Sequence, residues 1–241
     1  MQHRGIARIR AACHAPSATV IALLKSCYMA AMVLLISAAP ALAASSSDLL
    51  EKRIDTWPAW SLPAPLPRPG YKDLIYPAWF AGSWQATNHD PSGNEPDLHY
   101  TVRFNTDPKG QVVGDRAYNA SAIGRALLGP QLLEVRNDPR NPNRQLAELS
   151  DDQQLESTVV GRRSSQATAG LFLADELALQ VLHGPGDPRV SRVETLSRYR
   201  LVEPNRIEAE QWQVSYGSPA QGLAAKAQRS WQGLLVLTRL D

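Results

Sequence analysis

A chain of 241 residues is long enough to bury one hydrophobic core and short for two independent domains. Its 25 basic and 23 acidic residues nearly balance, which leaves a formal charge of +2. This balance predicts no basic face of the kind that attracts nucleic acid, so we expect no nucleic-acid partner.

The N-terminal segment has the features of an export signal. Four basic residues and no acid precede or accompany an apolar run over residues 27–39, and an Ala-Leu-Ala triplet ends at Ala43. This order predicts a signal peptide over residues 1–43. The apolar run is shorter than the roughly 20 residues that span a membrane, which argues against an anchor. A transit peptide is the alternative.

Cleavage after Ala43 would change the chemistry that is available to the mature chain. It removes both cysteines, Cys13 and Cys27, so disulfides, thiolate nucleophiles and cysteine-ligated metals are excluded. It also removes four basic residues and no acid, so the mature chain is slightly acidic. We expect N-terminal sequencing of the protein from its host to begin at Ala44. A soluble protein that begins at Met1 would contradict this prediction.

Residues 44–75 are predicted to form a proline-rich arm. A short helix is expected over residues 49–57, and five prolines then alternate with apolar residues over residues 58–69. Each proline removes a backbone donor and favours an extended path. We expect the arm to pack across the outside or the mouth of the following domain. In the alternative interpretation, its aromatic stretch Trp57–Trp84 docks another protein.

Residues 76–241 show a succession of strand patterns joined by turns. Apolar and polar residues alternate with period two over residues 98–105, and a partner strand is predicted over residues 111–118. A helical turn is expected over residues 120–128. A loop is expected over residues 137–144, because this stretch holds two prolines and three asparagines.

The rest of the domain continues the same strand-and-turn pattern. Further strands are predicted at 131–136, 155–163, 171–183, 189–202, 206–216 and 231–240. The third of these also fits a helix. Successive short strands without a long helix favour an all-β fold, an antiparallel up-and-down barrel with the proline-rich arm at its N-terminus.

Two residues at the ends of this domain carry a resemblance to a known superfamily. Gly82-Ser83-Trp84 opens the first strand, and Arg239 lies on the predicted packed face of the last strand. This arrangement resembles the calycin barrels, which include the lipocalins. The resemblance implies that Arg239 lies across the Trp84 ring at one end of a barrel with an interior cavity. In the alternative, Trp84 is an edge residue and Arg239 is solvated.

Four sequence blocks resemble an uncharacterised family of exported cyanobacterial and plastid-lumen proteins. They are residues 76–84, 115–119, 141–144 and 192–196. This family has no settled activity that could be transferred. The resemblance implies a location in the thylakoid lumen or the periplasm, and a photosynthetic membrane protein as a candidate partner of the arm.

The strand predicted over residues 206–216 carries the candidate ligand site. Period two places four residues on one face: Glu208, Glu210, Trp212 and Tyr216. Arg116 is a candidate counter-charge. We expect these residues to line a cavity for a small apolar or amphipathic ligand, such as a pigment or a lipid. The same spacing also fits an outward face.

Three functional hypotheses follow from these patterns. The leading one is a non-enzymatic binding barrel or a factor that assists photosynthetic assembly. The second is an enzyme on the same scaffold, in which Glu208 and Glu210 act as acid and base. The third is an interaction module that uses the arm. We predict no catalytic residue, no cofactor and no metal site, since the histidines of the mature chain lack metal-ligand spacing.

Overall fold

The computed structural model describes residues 43–63, 66–165, 169–222 and 225–240. The leader before Ala43 lies outside these residues, so its cleavage stays a prediction. The described chain contains two α-helices, α1 (Ala43–Asp55) and α2 (Arg116–Leu128). Its strands are β1 (Gly82–His89), β2 (Leu98–Thr106), β3 (Val112–Gly114), β4 (Leu132–Asp138), β5 (Asn141–Leu149), β6 (Gln153–Ser165), β7 (Leu171–His183), β8 (Arg189–Glu203), β9 (Arg206–Tyr216) and β10 (Arg229–Arg239).

The ten strands form one antiparallel sheet, in the order β3-β2-β1-β10-β9-β8-β7-β6-β5-β4. Every pair of neighbours in the sheet is also consecutive along the chain except β1 and β10, which join the two halves of the meander. The sheet curls into a half-barrel. The all-β antiparallel fold predicted by the alternating patterns is therefore confirmed.

The half-barrel is completed by a helix instead of a strand pair. In the described chain β3 and β4 are the two edges of the sheet, and α2 is the segment between them. The helix packs on both β2 and β4, and buried Ile123 and Leu128 anchor it to the interior. A helix that covers the edge of a sheet protects the unpaired backbone N–H and C=O groups of the edge strand. Closing the sheet into a barrel would have the same effect. The curled sheet with α2 between its two edges is consistent with the predicted antiparallel barrel.

Two predicted segments differ from the structure for local reasons. The strand expected over residues 111–118 ends at Gly114, because the Asp115 side chain accepts a hydrogen bond from the Tyr118 amide and starts α2. The loop expected over residues 137–144 is instead a hairpin between β4 and β5. Its prolines are tolerated since they lie in the turn and at the beginning of β5.

Both faces of the sheet bury apolar side chains. The interior cluster gathers residues from β1, β2, β7, β9 and β10, with Phe80, Phe172 and Ile207 among its members. A second cluster lies on the outer face of β7–β9 and includes Trp212 and Tyr216. The strands in this region therefore carry buried residues at almost every position, and burial alone does not mark the interior.

The N-terminal segment covers the outer face. Helix α1 ends at Asp55, two residues before the predicted end, and the arm then buries Trp60 and Leu62 in the outer cluster. The arm continues past β6, where the Arg162 amide donates to the Pro67 carbonyl at 2.9 Å. It enters the interior with Tyr76, which pairs with Val112 of β3. The arm packs within the chain as expected.

The aromatic end of the half-barrel joins the first and last strands. The Arg239 guanidinium lies over the fully buried Trp84 ring, with its central carbon 4.2 Å from the ring centroid. It also donates to the Ala81 carbonyl at 2.6 Å and the Trp79 carbonyl at 3.1 Å. One side chain therefore ties the end of β10 to the segment that precedes β1.

Gly82 explains the Gly-x-Trp spacing. Its φ is 115°, a backbone angle that residues with a side chain rarely adopt. A Cβ at this position would come within 2.8 Å of the Arg239 Nη1 atom. The glycine therefore leaves room for the guanidinium that lies over Trp84.

We expect Arg239→Ala to lower the free energy of unfolding by about 1–3 kcal/mol, because it removes packing over a buried ring and two hydrogen bonds. Urea titration measures the effect. Arg239→Lys is the matched control: it keeps the charge and loses the planar contact, so it should recover only part of the loss. An unchanged midpoint for Arg239→Ala would show that the guanidinium contributes nothing to stability.

Candidate functional site

The four residues predicted to form one face of a strand do share a face of β9, and that face is the outer one. Trp212 and Tyr216 lie under α1 and the arm. Glu210 accepts hydrogen bonds from the Arg198 guanidinium at 2.6 and 3.0 Å. Glu208 accepts from Arg206 at 2.8 and 3.0 Å. The protein's own N-terminal segment therefore occupies the space beside the two rings.

Arg116 lies elsewhere. It begins α2 and is buried, and its guanidinium pairs with Asp73 of the arm. The structure therefore separates Arg116 from the four residues on β9. Their role toward a ligand stays a prediction.

The interior carries a polar belt that the sequence analysis did not single out. Its members are buried amide and hydroxyl side chains on the interior face of β6–β9: Gln153, Ser157, Gln180, Thr195, Ser197, Gln211, Gln213 and Ser215. We call this set the polar belt. Alternation places Leu155 and Leu182 on the same face. The interior therefore combines apolar and hydrogen-bonding surface.

Hydrogen bonds within the polar belt join neighbouring strands. The Gln211 amide donates to the Ser197 hydroxyl at 3.1 Å, and the Gln213 amide donates to the Thr195 hydroxyl at 3.2 Å. Other polar atoms of the belt are buried without a hydrogen-bond partner in the described chain. These atoms are Gln153 Oε1, Gln180 Nε2, Gln211 Oε1, Gln213 Oε1 and Ser215 Oγ.

Trp231 lies beside the polar belt on the interior face of β10. It is opposite Gln213, only half-buried, and its indole nitrogen has no hydrogen-bond partner in the described chain. Its ring lies across Gly233, where a Cβ would come within 1.9 Å of the ring. The glycine thus allows the indole to lie flat on the strand. This arrangement gives the belt an aromatic surface.

Tyrosine hydroxyls near the polar belt stay neutral over the physiological pH range. Burial raises the pKa of Tyr100, and it raises the pKa of Tyr199 as well. The Tyr199 ring also contacts the Phe80 ring edge to face, with the ring centroids 5.1 Å apart. These hydroxyls can therefore donate or accept hydrogen bonds without adding charge to the interior.

Consecutive charged residues on β6 and β7 form one ion pair on each face of the sheet. Arg162 is opposite Glu176 in the register, and their side chains pair in the interior. Arg163 is opposite Asp175, and these side chains pair on the outer face at 2.8 Å. Burial raises the pKa of Glu176 and lowers the pKa of Arg162, and each shift is opposed by the partner's charge.

The outer face holds a second buried carboxylate, Glu194 of β8. Arg53 of α1 donates to both of its oxygens, at 2.9 and 2.6 Å, and the Tyr216 hydroxyl donates to it as well. The Arg53 guanidinium also stacks on Trp60, 4.4 Å from the ring centroid. We call this set the N-terminal clamp. It fixes α1 and the arm to the half-barrel.

Asp175 is the neighbour of the N-terminal clamp. It is fully buried, and burial together with the nearby charge of Glu194 raises the pKa of Asp175 to about 7. Arg163 and Arg53 oppose this shift. Asp175 and Glu194 are therefore two carboxyl groups buried close together, whereas Glu208 and Glu210 share a partly exposed part of the outer face.

Two classes of site find no support in the part of the chain that the structure describes. No group of three or more His, Cys, Asp or Glu side chains is arranged there to hold a metal ion. None of the described helices is long and apolar enough to cross a membrane.

Comparison with known proteins adds a family and one distant structural likeness. A family model described as Domain of unknown function (DUF6816) matches residues 85–230. The solved structure of EF1p2_mFAP2b bound to DFHBI is similar over 67% of this chain and 94% of that chain, with 9% sequence identity and a TM-score of 0.24. No curated protein sequence matches the chain.

Proposed function

Because the chain belongs to the family described as Domain of unknown function (DUF6816), whose description states no activity, we propose a function from the geometry. The protein binds a small amphipathic molecule inside the half-barrel, against the polar belt and Trp231. The observation that carries this proposal is a set of buried polar atoms, in the belt and on Trp231, that have no hydrogen-bond partner among the described residues.

The free-energy cost of these atoms supports the proposal. A buried polar atom without a hydrogen bond costs about 1–3 kcal/mol. Six such atoms, five in the polar belt and one on Trp231, together have a cost comparable to the net stability of a whole domain, about 5–15 kcal/mol. Water or a ligand must therefore supply their partners. Leu155, Leu182 and the Trp231 ring add the apolar contact that favours a ligand over water alone.

The finer assignments rest on the sequence. We propose a calycin-like barrel, and the contact of Arg239 with Trp84 supports it. We also propose export to the thylakoid lumen or periplasm, on the strength of the leader. A pigment or lipid as ligand, and assistance to photosynthetic assembly, belong to the same proposal.

The two alternative functions have less support. The rings Trp60, Phe80 and Trp84 in and after the arm are buried within the chain, and Tyr71 is the exposed one at 80%. The carboxylates considered for acid–base chemistry, Glu208 and Glu210, each face an arginine on the outer surface. The burial of the arm's rings therefore does not favour an interaction module over a binding protein. The pairing of Glu208 and Glu210 with arginines does not favour an enzyme.

We expect native mass spectrometry of the protein from its own host to detect a bound small molecule. Gln213→Leu and Trp231→Ala should each lower its occupancy at least about tenfold, since each removes a contact worth about 1.4 kcal/mol or more. Gln154→Leu is the matched control. Gln154 lies one residue from the polar belt on the outer face of β6, and its replacement should leave occupancy unchanged.

Two outcomes would contradict the proposed function. One is a wild-type protein that carries no small molecule and binds none when candidate amphipathic molecules are added. The other is a bound molecule whose occupancy responds equally to Gln154→Leu and Gln213→Leu.

A further inference from the structure

We infer that the ligand is uncharged where it meets the polar belt, and that it carries hydroxyl or amide groups on an apolar ring system. This inference rests on the proposed function and adds the chemical class of the ligand. It follows from three features of the interior: the composition of the belt, the pairing of the charges beside it, and the position of Trp231.

The polar belt contains only amides and hydroxyls. None of its eight side chains is ionisable at neutral pH. Tyr100, which is buried, and Tyr199, which is half-buried, lie on the same interior face and stay protonated because desolvation raises the pKa of each hydroxyl. The belt therefore offers neutral donors and acceptors, which match hydroxyl and amide groups.

The charges beside the polar belt are already compensated. Glu176 is opposite Thr195 of the belt and pairs with Arg162. Arg116, the other buried interior arginine, pairs with Asp73. A ligand carboxylate or ammonium would thus enter without a counter-charge, and an unpaired buried charge costs several kcal/mol. A neutral hydrogen-bonding group avoids this cost.

Trp231 favours a ligand with a ring. Its indole is half-buried and lies flat across Gly233, opposite Gln213 of the polar belt. A flat apolar ring can stack on the indole while its polar substituents reach the belt. The site therefore places one aromatic surface beside a row of neutral polar groups.

Three probes with one ring system test the inference. They are 2-naphthamide, 2-naphthoate and 2-naphthylmethylammonium, titrated into the full mature protein by calorimetry at pH 7.5. We expect the neutral amide to bind at least tenfold more tightly than either charged probe. A charged probe that binds as tightly as the amide, or more tightly, would overturn the inference and leave the proposed function standing.

A substitution that adds charge should change this preference in a predictable direction. At pH 8.5, Gln213→Glu should raise the affinity for the ammonium probe relative to the amide at least tenfold, and Ser215→Asp should do the same if the first variant does not fold. Gln154→Glu on the outer face should leave the relative affinities unchanged. Equal relative affinities in the wild type and both belt variants would contradict the inference.

Failure of the proposed function has a different signature from failure of the inference. If no probe binds and the host protein carries no molecule, both are wrong. If no probe binds and the host protein does carry a molecule, that molecule decides: a neutral ring compound supports the inference, and a compound charged at its buried end overturns it. Loss of its occupancy in Gln213→Leu but not in Gln154→Leu shows that the molecule lies against the polar belt, and the affinities of analogues that lack one end or the other show which end is buried.

Discussion

Replacing Arg53 with alanine is expected to lower the free energy of unfolding by about 3–5 kcal/mol, the usual effect of breaking a buried ion pair. Glu194 is fully buried, and Arg53 contacts both of its oxygens. Without the guanidinium, the Tyr216 hydroxyl is the contact that remains from the N-terminal clamp. Guanidinium chloride titration of the two proteins measures the loss.

The same helix provides a matched control. Glu51 of α1 pairs with Arg198 at 2.9 Å, and its side chain is 40% exposed. An exposed pair contributes at most about 1 kcal/mol, so Glu51→Ala should have a small effect. Equal effects of Arg53→Ala and Glu51→Ala would contradict the assignment of the clamp.

A double substitution separates the buried charge from the loss of packing. Arg53→Met with Glu194→Leu removes both charges and keeps apolar volume under the arm. Replacing a buried ion pair by apolar residues is often neutral or stabilising. The double variant should therefore be clearly more stable than Arg53→Met alone. A double variant that is as unstable as the single one would show that the charge on Glu194 is not the cause.

The fold was predictable where local patterns were regular. The alternation at 98–105 matches β2, and the patterns at 189–202 and 206–216 match the hairpin of β8 and β9. Strand β5 was missed because asparagine and proline at its beginning are typical of loops. Helix α2 was placed too late, since Asp115 begins it directly after a short strand.

The candidate site was less predictable because the sheet has two buried faces. On β9 the large side chains Trp212 and Tyr216 lie outside, under the arm, whereas Gln211 and Gln213 face the interior. Hydrophobicity assigns rings to a core, but it does not say which of two cores they join. That choice depends on where the arm folds back, and no local signal in β9 carries this information.

The paired charges of β6 and β7 had a sequence signal that could have been used. Arg162-Arg163 and Asp175-Glu176 lie in two successive predicted strands, 155–163 and 171–183, and antiparallel pairing brings the two sets opposite each other. Because successive side chains of a strand point to opposite faces of the sheet, one pair lies on each face. The sequence alone does not reveal that both pairs are buried.

The pH dependence of stability is expected to carry the signature of Asp175. In the unfolded chain an aspartate has a pKa near 3.9. In the folded protein, burial and the charge of Glu194 raise the pKa of Asp175 to about 7, against the attraction of Arg163 and Arg53. Tyr216 also faces this group. Between about pH 4 and pH 7 the folded state therefore holds a proton that the unfolded state has released.

Stability must then fall as the pH rises through this window. The contribution of Asp175 is fully present below about pH 4 and is lost above about pH 7, with a slope of up to about 1.4 kcal/mol per pH unit. Asp175→Asn keeps the size of the side chain and removes the titration. The stability of the variant relative to the wild type should therefore be higher at pH 8 than at pH 4, because only the wild type loses this contribution as the pH rises.

Urea titrations of the wild type and Asp175→Asn at pH 4, 5, 6, 7 and 8 test this prediction, because the difference between the two proteins cancels the groups that they share. Asp187→Asn, at an exposed turn between β7 and β8, is the control and should give a difference that does not change with pH. If the wild type instead gains stability relative to Asp175→Asn between pH 4 and pH 7, the predicted direction of the pH dependence is wrong. Asp175 would then be an ordinary ion-paired carboxylate, held ionised by Arg163 and Arg53.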